Sequence, residues 1–201
     1  AGTNNYYLNF KPKESVDAVL EDAAEMGLKV VRTWGNLDAG VKTDKVSDKG
    51  YTVFTDNVDG SGEKEGVYYQ YFDADLGRPV VNEGEDGLQK LDYALYKAEQ
   101  EGIKLLITFT NNWEAFGGMG QYVQWAKLAG ENVSGHDDFY TNETIKGWYK
   151  DYIKTLLNHE NVYTGVKYKD DPTIFSWELA NEPRCESDAG CENNTVVKWA
   201  T

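Results

Sequence analysis

The residues best placed to do chemistry fall in one stretch, Thr173-Ile174-Phe175-Ser176-Trp177-Glu178-Leu179-Ala180-Asn181-Glu182-Pro183-Arg184. An apolar run rich in β-branched and aromatic residues that stops abruptly at an amide, a carboxylate and a proline reads as a buried strand presenting polar groups at its carboxyl end. Parallel α/β folds carry their chemistry at that end, and a carboxyl group fixed there can serve as a positioned acid. Pro183 cannot extend a ladder and biases its predecessor away from helical angles, so Glu182 is expected in an extended conformation just past the strand. Glu178 is the competing carboxylate, because a strand that stays regular puts residues 178 and 182 on the same side. Register does not choose between them; the Asn-Glu-Pro context favours Glu182. The same three residues also suit an ordinary turn, and a single carboxylate does not separate the two uses.

Two further groups repeat the theme. Arg32 and Trp34 lie two residues apart at the end of Leu28-Lys-Val-Val-Arg-Thr-Trp34 and therefore share a side. An arginine at the carboxyl end of a central strand is costly to desolvate unless it meets a carboxylate, which a purely structural ion pair would also provide. Trp34 suits either a core position or a platform for a sugar ring. Thr110-Asn-Asn-Trp-Glu-Ala-Phe-Gly-Gly118 again places amides and an indole after an apolar strand. His136 and His159 sit in polar contexts with no His, Cys or carboxylate at ligand spacing, so neither a metal nor another cofactor is expected. The cysteines lack a histidine partner, which argues against a thiol nucleophile.

The elements that must position these groups alternate in type. Gly2 to Leu8 reads as a first strand, Ser15 to Met26 as a helix with Val16, Val19, Leu20, Ala23 and Ala24 on one face and Gly27 as its stop, and Leu28 to Trp34 as a second strand. This β-α-β order requires a parallel sheet with a right-handed crossover. A long excursion follows from about Asn36 to Glu85, in which Tyr51–Phe54 and Val67–Phe72 read as the arms of a hairpin with Asp59-Gly60-Ser61-Gly62 as turn material. A loop of that length in a compact domain is usually functional. Gly87 to Glu101 is helical, Ile103 to Phe109 a third strand, Gln121 to Ala129 a short helix, and Asn142 to His159 a longer one; the Thr173 strand is the fourth. From Asn194 the sequence looks like a helix that has only begun. Four parallel units are half of an eightfold barrel, and an open half leaves two exposed edges, so the chain is expected to be the N-terminal portion of a larger catalytic domain.

Composition narrows the partners. With 34 acidic and 20 basic residues among 201, the formal charge of −14 would repel a phosphate backbone, and nucleic acid is not expected. Six Trp, fourteen Tyr and seven Phe can fill a core, and they are also what a sugar-binding cleft needs, because pyranose faces stack on rings while edge hydroxyls take hydrogen bonds. No segment approaches the length of a membrane span, and the N-terminus lacks the charged and apolar regions of a signal peptide, so a secreted protein would be represented by its processed chain. Cys185 and Cys191 are close enough to close a small loop, and pairing would imply an oxidising compartment. Sequons at Asn132, Asn142 and Asn193 are compatible with export.

Taken in order, Val30-Val-Arg-Thr-Trp-Gly35, Asn111-Asn-Trp113 and Trp177-Glu-Leu-Ala-Asn-Glu-Pro-Arg-Cys185 resemble glycoside hydrolase family 5, specifically its fungal endo-β-1,4-mannanases, over essentially the whole chain. The resemblance implies an α/β fold, the (β/α)8 TIM barrel, of which residues 1–201 cover about the first four β/α units of a single catalytic domain. It implies a secreted enzyme, monomeric when complete, that cuts mannan or manno-oligosaccharides with retention, using two glutamates and neither metal nor cofactor. Glu182 then matches the acid/base, Asn181 the amide that holds the sugar 2-hydroxyl, and Arg32 the arginine that keeps the nucleophile ionised. Trp34 and Trp113 match cleft aromatics, Asn112 a substrate-binding amide, and Cys185 with Cys191 a disulfide beside the acid/base, although the loop between them looks longer here. In such an enzyme the acid/base protonates the leaving oxygen and then activates water, while a second carboxylate about 5 to 5.5 Å away forms the glycosyl-enzyme bond. Burial in a closed barrel would raise the acid/base pKa. The family's nucleophile follows the seventh strand and has no counterpart in these residues, so the chain alone is expected to be inactive. An endo-β-1,4-glucanase of the same family and a non-catalytic carbohydrate-binding half-barrel are the alternatives.

Overall fold

The chain opens with a short strand, β1 (Gly2–Asn4), followed by helix α1 (Lys13–Glu25) and strand β2 (Val30–Trp34). In the computed structural model, residues 1–60 and 62–201 are described. The first strand stops earlier than its sequence suggests, because Asn5 accepts the backbone N–H of Tyr7 and residues 7–11 close into turns on the Tyr7 carbonyl. Val16, Leu20 and Ala23 recur at helical spacing and are buried against the sheet, and Gly27, at φ +74°, takes the left-handed position that ends α1.

The excursion is a second sheet. Strands β3 (Asp38–Val46), β4 (Thr52–Thr55), β5 (Gln70–Asp73) and β6 (Arg78–Val81) lie in the order β4-β3-β5-β6. The expected hairpin between the 51–54 and 67–72 segments does not form: β4 pairs antiparallel and β5 parallel with β3, and β5 finds its hairpin partner in β6. The physical reason is β3 itself. Its Asp-Ala-Gly-Val-Lys-Thr-Asp-Lys-Val sequence has little apolar alternation, yet it supplies a central edge for both neighbours. Ser61, at the middle of the expected hairpin turn, lies outside the described residues.

Helix α2 (Gln89–Gln100) returns the chain to the first sheet through strand β7 (Lys104–Thr108). Helices α3 (Gly118–Leu128), α4 (Asp138–Thr141) and α5 (Glu143–Asn158) follow, then strand β8 (Ile174–Glu178) and the short helices α6 (Asp188–Glu192) and α7 (Thr195–Ala200). Asn142 caps α5 by accepting the Ile145 N–H at 3.0 Å. The first sheet has the order β1-β2-β7-β8 and every pairing is parallel. One hydrophobic core joins Leu20, Val31, Leu95, Ile107, Trp125 and Leu156, so sheet and helices form one packed unit. This is the open partial barrel expected of four β/α units, with β1 and β8 as edges. On β8, Phe175 remains 63% exposed and Leu179 just beyond it 42%, an apolar surface with no cover among the described residues.

The two sheets are joined through a buried carboxyl group. Asp38 accepts Gln70 Nε2 at 2.7 Å, Asn36 Nδ2 at 3.1 Å and the Gly118 N–H at 3.2 Å. Burial outweighs these hydrogen bonds and pushes its pKa up from 3.8 to about 7. The folded state therefore keeps a proton that the unfolded chain releases. The associated stability is complete below about pH 4 and is lost as pH rises towards 7, at roughly 1.4 kcal/mol per pH unit. Asp38→Asn should remove this slope, so urea denaturation at several pH values should show the wild type losing stability relative to the variant between pH 4 and 7.

Candidate active site

Three strand ends converge on one guanidinium, and the fourth joins through an amide. Arg32, on β2, donates from Nε to Glu178 Oε2 at 2.9 Å and stands 2.7 Å from the same oxygen through Nη2. Nη2 also reaches Asn181 Oδ1 at 2.9 Å, and Nη1 reaches Asn4 Oδ1 on β1 at 3.2 Å. Asn181 in turn donates to Asn111 Oδ1 at 2.9 Å, and Asn111 donates to the Ala115 carbonyl at 2.9 Å. The chain Glu178, Arg32, Asn181, Asn111 fixes the orientation of the Asn181 amide without assistance from a ligand.

Glu182 takes a different direction. Its Oε2 accepts Trp113 Nε1 at 2.8 Å and Arg184 Nη2 at 3.3 Å, and the Arg184 guanidinium lies 4.8 Å from the Trp113 ring centre. The two carboxylates do not share a side, because the strand does not stay regular: β7 and β8 pair once more at Asn111 and Asn181, and the next residue, Glu182, has φ +49°. The expected extended conformation of Glu182 is thus replaced by a left-handed one. Pro183 offers no N–H to continue a ladder, while the Arg184 N–H turns back to Asn112 Oδ1 at 3.1 Å. A non-glycine residue held in this region stores backbone strain of the kind found at functional sites. The Glu182 side chain is 54% exposed, so any burial of this acid must come from further structure.

Trp34 is only 7% exposed and packs with its ring centre 4.9 Å from Phe116 and 5.3 Å from Tyr6. It is both a core residue and part of the floor of a cleft of about 650 Å³ lined by Tyr6, Trp34, Asn111, Trp113, Phe116 and Asn181. Trp113, 44% exposed, stands at its rim. Asn112 does not line this cleft: its side-chain oxygen receives the Arg184 N–H and, at 3.4 Å, the Tyr140 hydroxyl. Its neighbour Asn111 faces the cleft instead.

The Cys185–Cys191 disulfide closes the loop directly after Arg184. Asp137 fastens that loop, accepting the Glu186 and Ser187 N–H groups, each at 2.9 Å, and the Ser187 hydroxyl at 2.5 Å. Burial opposes ionisation of Asp137, but the bonds from Ser187, Glu186 and His136 outweigh it and hold the carboxyl at about 2. Nothing local in the Gly-His-Asp-Asp sequence announces this partnership across some fifty residues. His136 bridges Asp137 and the Asn112 carbonyl, both at 3.2 Å. His159 is buried with its ring nitrogens 2.8 Å from Glu83 and 2.9 Å from Asp92, carboxylates brought from distant sequence. Burial alone would lower its pKa, yet these two partners raise it. Both histidines are thereby tied into the scaffold rather than aimed at the cleft.

Parallel strands whose carboxyl ends carry a carboxylate, oriented amides and an aromatic cleft make up a partial (β/α) barrel. The family profile described as GH family 5 beta-mannosidase-like matches residues 62–201, and the chain belongs to that family. It is 37% identical over 203 residues to mannan endo-1,4-beta-mannosidase 3 of Arabidopsis thaliana, covering 98% of this chain and 41% of that protein. It is 40% identical over 200 residues to the probable mannan endo-1,4-beta-mannosidase A of Aspergillus flavus, covering 99% of this chain and 42% of the other. The crystal structure of the Rhizomucor miehei endo-1,4-beta-mannanase superposes with a TM-score of 0.79 at 38% identity, over 98% of this chain and 49% of that one. The chain thus spans about 40% of the length of these curated relatives. Similarity to plant proteins is as evident as to the fungal ones.

Removing Arg32 leaves Glu178 without its cation and frees the Asn181 amide. Because both charged side chains are a quarter to a third exposed, the cost should be modest: Arg32→Met is expected to lower unfolding free energy by about 1 to 2 kcal/mol, measured by denaturant titration. Glu178→Gln, which keeps an acceptor for Arg32, should cost less.

Proposed function

We propose that the chain is the N-terminal part of a single (β/α)8 catalytic domain of a retaining endo-β-1,4-mannanase, with Glu182 as acid/base. The observation that carries this reading is the Glu182 carboxyl held by the Trp113 indole at the rim of an aromatic cleft, beside an Asn181 amide already oriented by Arg32. A sugar stacked in the cleft would find aromatic faces for its apolar side and amides for its hydroxyls. Asn181 is suited to the 2-hydroxyl, whose hydrogen bond strengthens in the transition state. Glu182 would protonate the departing oxygen and then deprotonate water, with Trp113 and Arg184 fixing where its carboxyl points. The names of the relatives support mannan over another β-1,4-glycan such as cellulose. Arg32, already paired with Glu178, would place its positive charge near the nucleophile contributed by the rest of the barrel.

The exposed Phe175 on β8 and Leu179 just beyond it support this reading over a self-sufficient carbohydrate-binding half-barrel, because further strands would cover them. The paired cysteines and the sequons support secretion, and no described helix is long and apolar enough to cross a membrane. The complete enzyme is read as a monomer acting on mannan without a cofactor.

In the full-length protein, Glu182→Ala should reduce turnover of polymeric mannan by at least about 100-fold, while substrates with activated leaving groups, which need less acid assistance, lose much less. Equal losses on both would remove the acid role. Galactomannan should be hydrolysed in preference to carboxymethylcellulose. Submillimolar mannohexaose binding by residues 1–201 alone would favour the binding-module alternative.

A further inference from the structure

The loop that presents Asn111 and Trp113 ends in three consecutive residues with positive φ: Phe116 at +64°, Gly117 at +85° and Gly118 at +59°. Two of the three are glycines, and for good reason. A Cβ on Gly117 would stand 2.1 Å from the Asp38 carbonyl oxygen, and one on Gly118 would stand 2.4 Å from the Asn111 carbonyl oxygen. Phe116 adopts the same region against its preference, so something must hold the turn.

The holder belongs to the second sheet. The Asp38 N–H donates to the Phe116 carbonyl at 3.0 Å, and the Asp38 carboxylate accepts the Gly118 N–H at 3.2 Å. Asn36 reinforces both contacts, donating to Asp38 Oδ2 at 3.1 Å and to the Phe116 carbonyl at 3.2 Å. From the pinned turn the constraint passes into the loop: the Gly117 N–H reaches the Glu114 carbonyl at 2.8 Å and the Met119 N–H reaches the Asn111 carbonyl at 2.8 Å. Trp113 lies inside that closed segment, and its indole meets Glu182 at 2.8 Å.

We propose that Asp38 is a positioning residue for the reaction: by fixing the 116–118 turn it sets the Trp113 indole against the Glu182 carboxyl. This inference rests on the reading of Glu182 as acid/base. Asp38 touches neither the cleft nor a substrate; it acts through the turn and the indole.

The groups around Asp38 explain why a carboxylate suits the task. Asn36, Gln70 and the Gly118 N–H all face it as donors, and a carboxyl offers two oxygens to accept from them. The phenols of Tyr122, Tyr149 and Tyr152 feel its charge, and burial raises the pKa of each, so they stay neutral. Asp38 forms no ion pair among the described residues. Burial pushes its own pKa up to about 7. A proton on Oδ1 leaves Oδ2 to Asn36 and the Gly118 N–H, and the Gln70 amide can meet that proton by presenting its oxygen.

The test uses the full-length protein and begins with Glu182→Ala, whose leaving-group signature judges the acid/base reading independently. Asp38→Ala is then expected to lower kcat on polymeric mannan by about tenfold or more, with a much smaller loss on an aryl manno-oligosaccharide bearing an activated leaving group, and to move the limb of the pH profile set by Glu182. In a Trp113→Phe background the same substitution should add less than about twofold, because the two act through one contact. Asp38→Asn, which preserves volume and an oxygen for Gly118, should restore most of the loss. If Asp38→Ala does not fold, Asn36→Ala carries the test, with a smaller loss of the same selectivity. The proposal is overturned if the losses are equal on the two substrates, if they multiply with Trp113→Phe, or if the pH limb stays in place; the Glu182 reading would survive any of these.

Discussion

A single guanidinium at the open end of the parallel sheet imposes the order on which the site depends. Arg32 would be expensive to bury alone, and the structure satisfies it with a carboxylate from β8, an amide from the turn after β8 and another amide from β1. Three strands are thereby registered at their carboxyl ends by one side chain, and the fourth is included through Asn111 after β7. The ion pair that could be read as merely structural is also what orients Asn181. Structural and functional uses of Arg32 are therefore not rivals: one side chain can hold the strands and aim the amide, since both require the same fixed geometry.

That arrangement separates the two carboxylates by environment rather than by sequence. Glu178 lies within the last regular pair of β8 and faces the cation. Glu182 lies one residue past the final bridge, where the backbone turns left-handed and the side chain swings to Trp113 and Arg184. Glu178 is clamped by a guanidinium within the sheet, whereas Glu182 is half exposed at the cleft rim and held by an indole. Pro183 contributes by ending the ladder, although the conformation it accompanies is not the extended one that proline usually imposes.

How much of this was legible in the sequence follows from which interactions are local. Strands β2, β7 and β8 were readable because each is a short apolar run between a glycine or turn and a polar terminus, and their mutual order followed from the β-α-β grammar, whereas β1 is a polar Gly-Thr-Asn whose end the sequence did not mark. The face of the first helix was equally clear, since Val16, Leu20 and Ala23 are buried as their spacing requires. The second sheet was not readable as built, because β3 is a polar strand and its parallel pairing with β5 joins segments separated by an intervening strand. Hairpin rules offer the nearest partner, and here the nearest partner was wrong. Arg32, Trp34, Asn181, Glu182 and Trp113, singled out by type and position, do come together at the strand ends, whereas the cleft is lined by Asn111 rather than the expected Asn112, because which of two adjacent loop amides points inward is not a matter of type. Asp38 and Asp137 carried no signal, because their partners lie in distant segments.

The excursion, at first sight an insertion beside the enzyme fold, supplies rigidity that the open sheet cannot. A loop at a strand end is normally free to relax, and the 110–118 loop contains a turn that strain alone would undo. It is held from outside: Trp125 donates to the Ala39 carbonyl at 2.9 Å, Gln121 bridges to Val58 N–H and the Asp56 carbonyl at 3.1 Å each, and Asp38 and Asn36 grip the turn itself. Helix α3, which begins at that turn, is thus docked on the second sheet before it contributes to the core of the first. The order of cause runs from a polar strand without obvious pattern, through a buried carboxyl group and two glycines, to the position of one indole. A cleft built on four parallel strands can keep a preformed geometry because its least regular loop is braced by a sheet that lies outside the barrel.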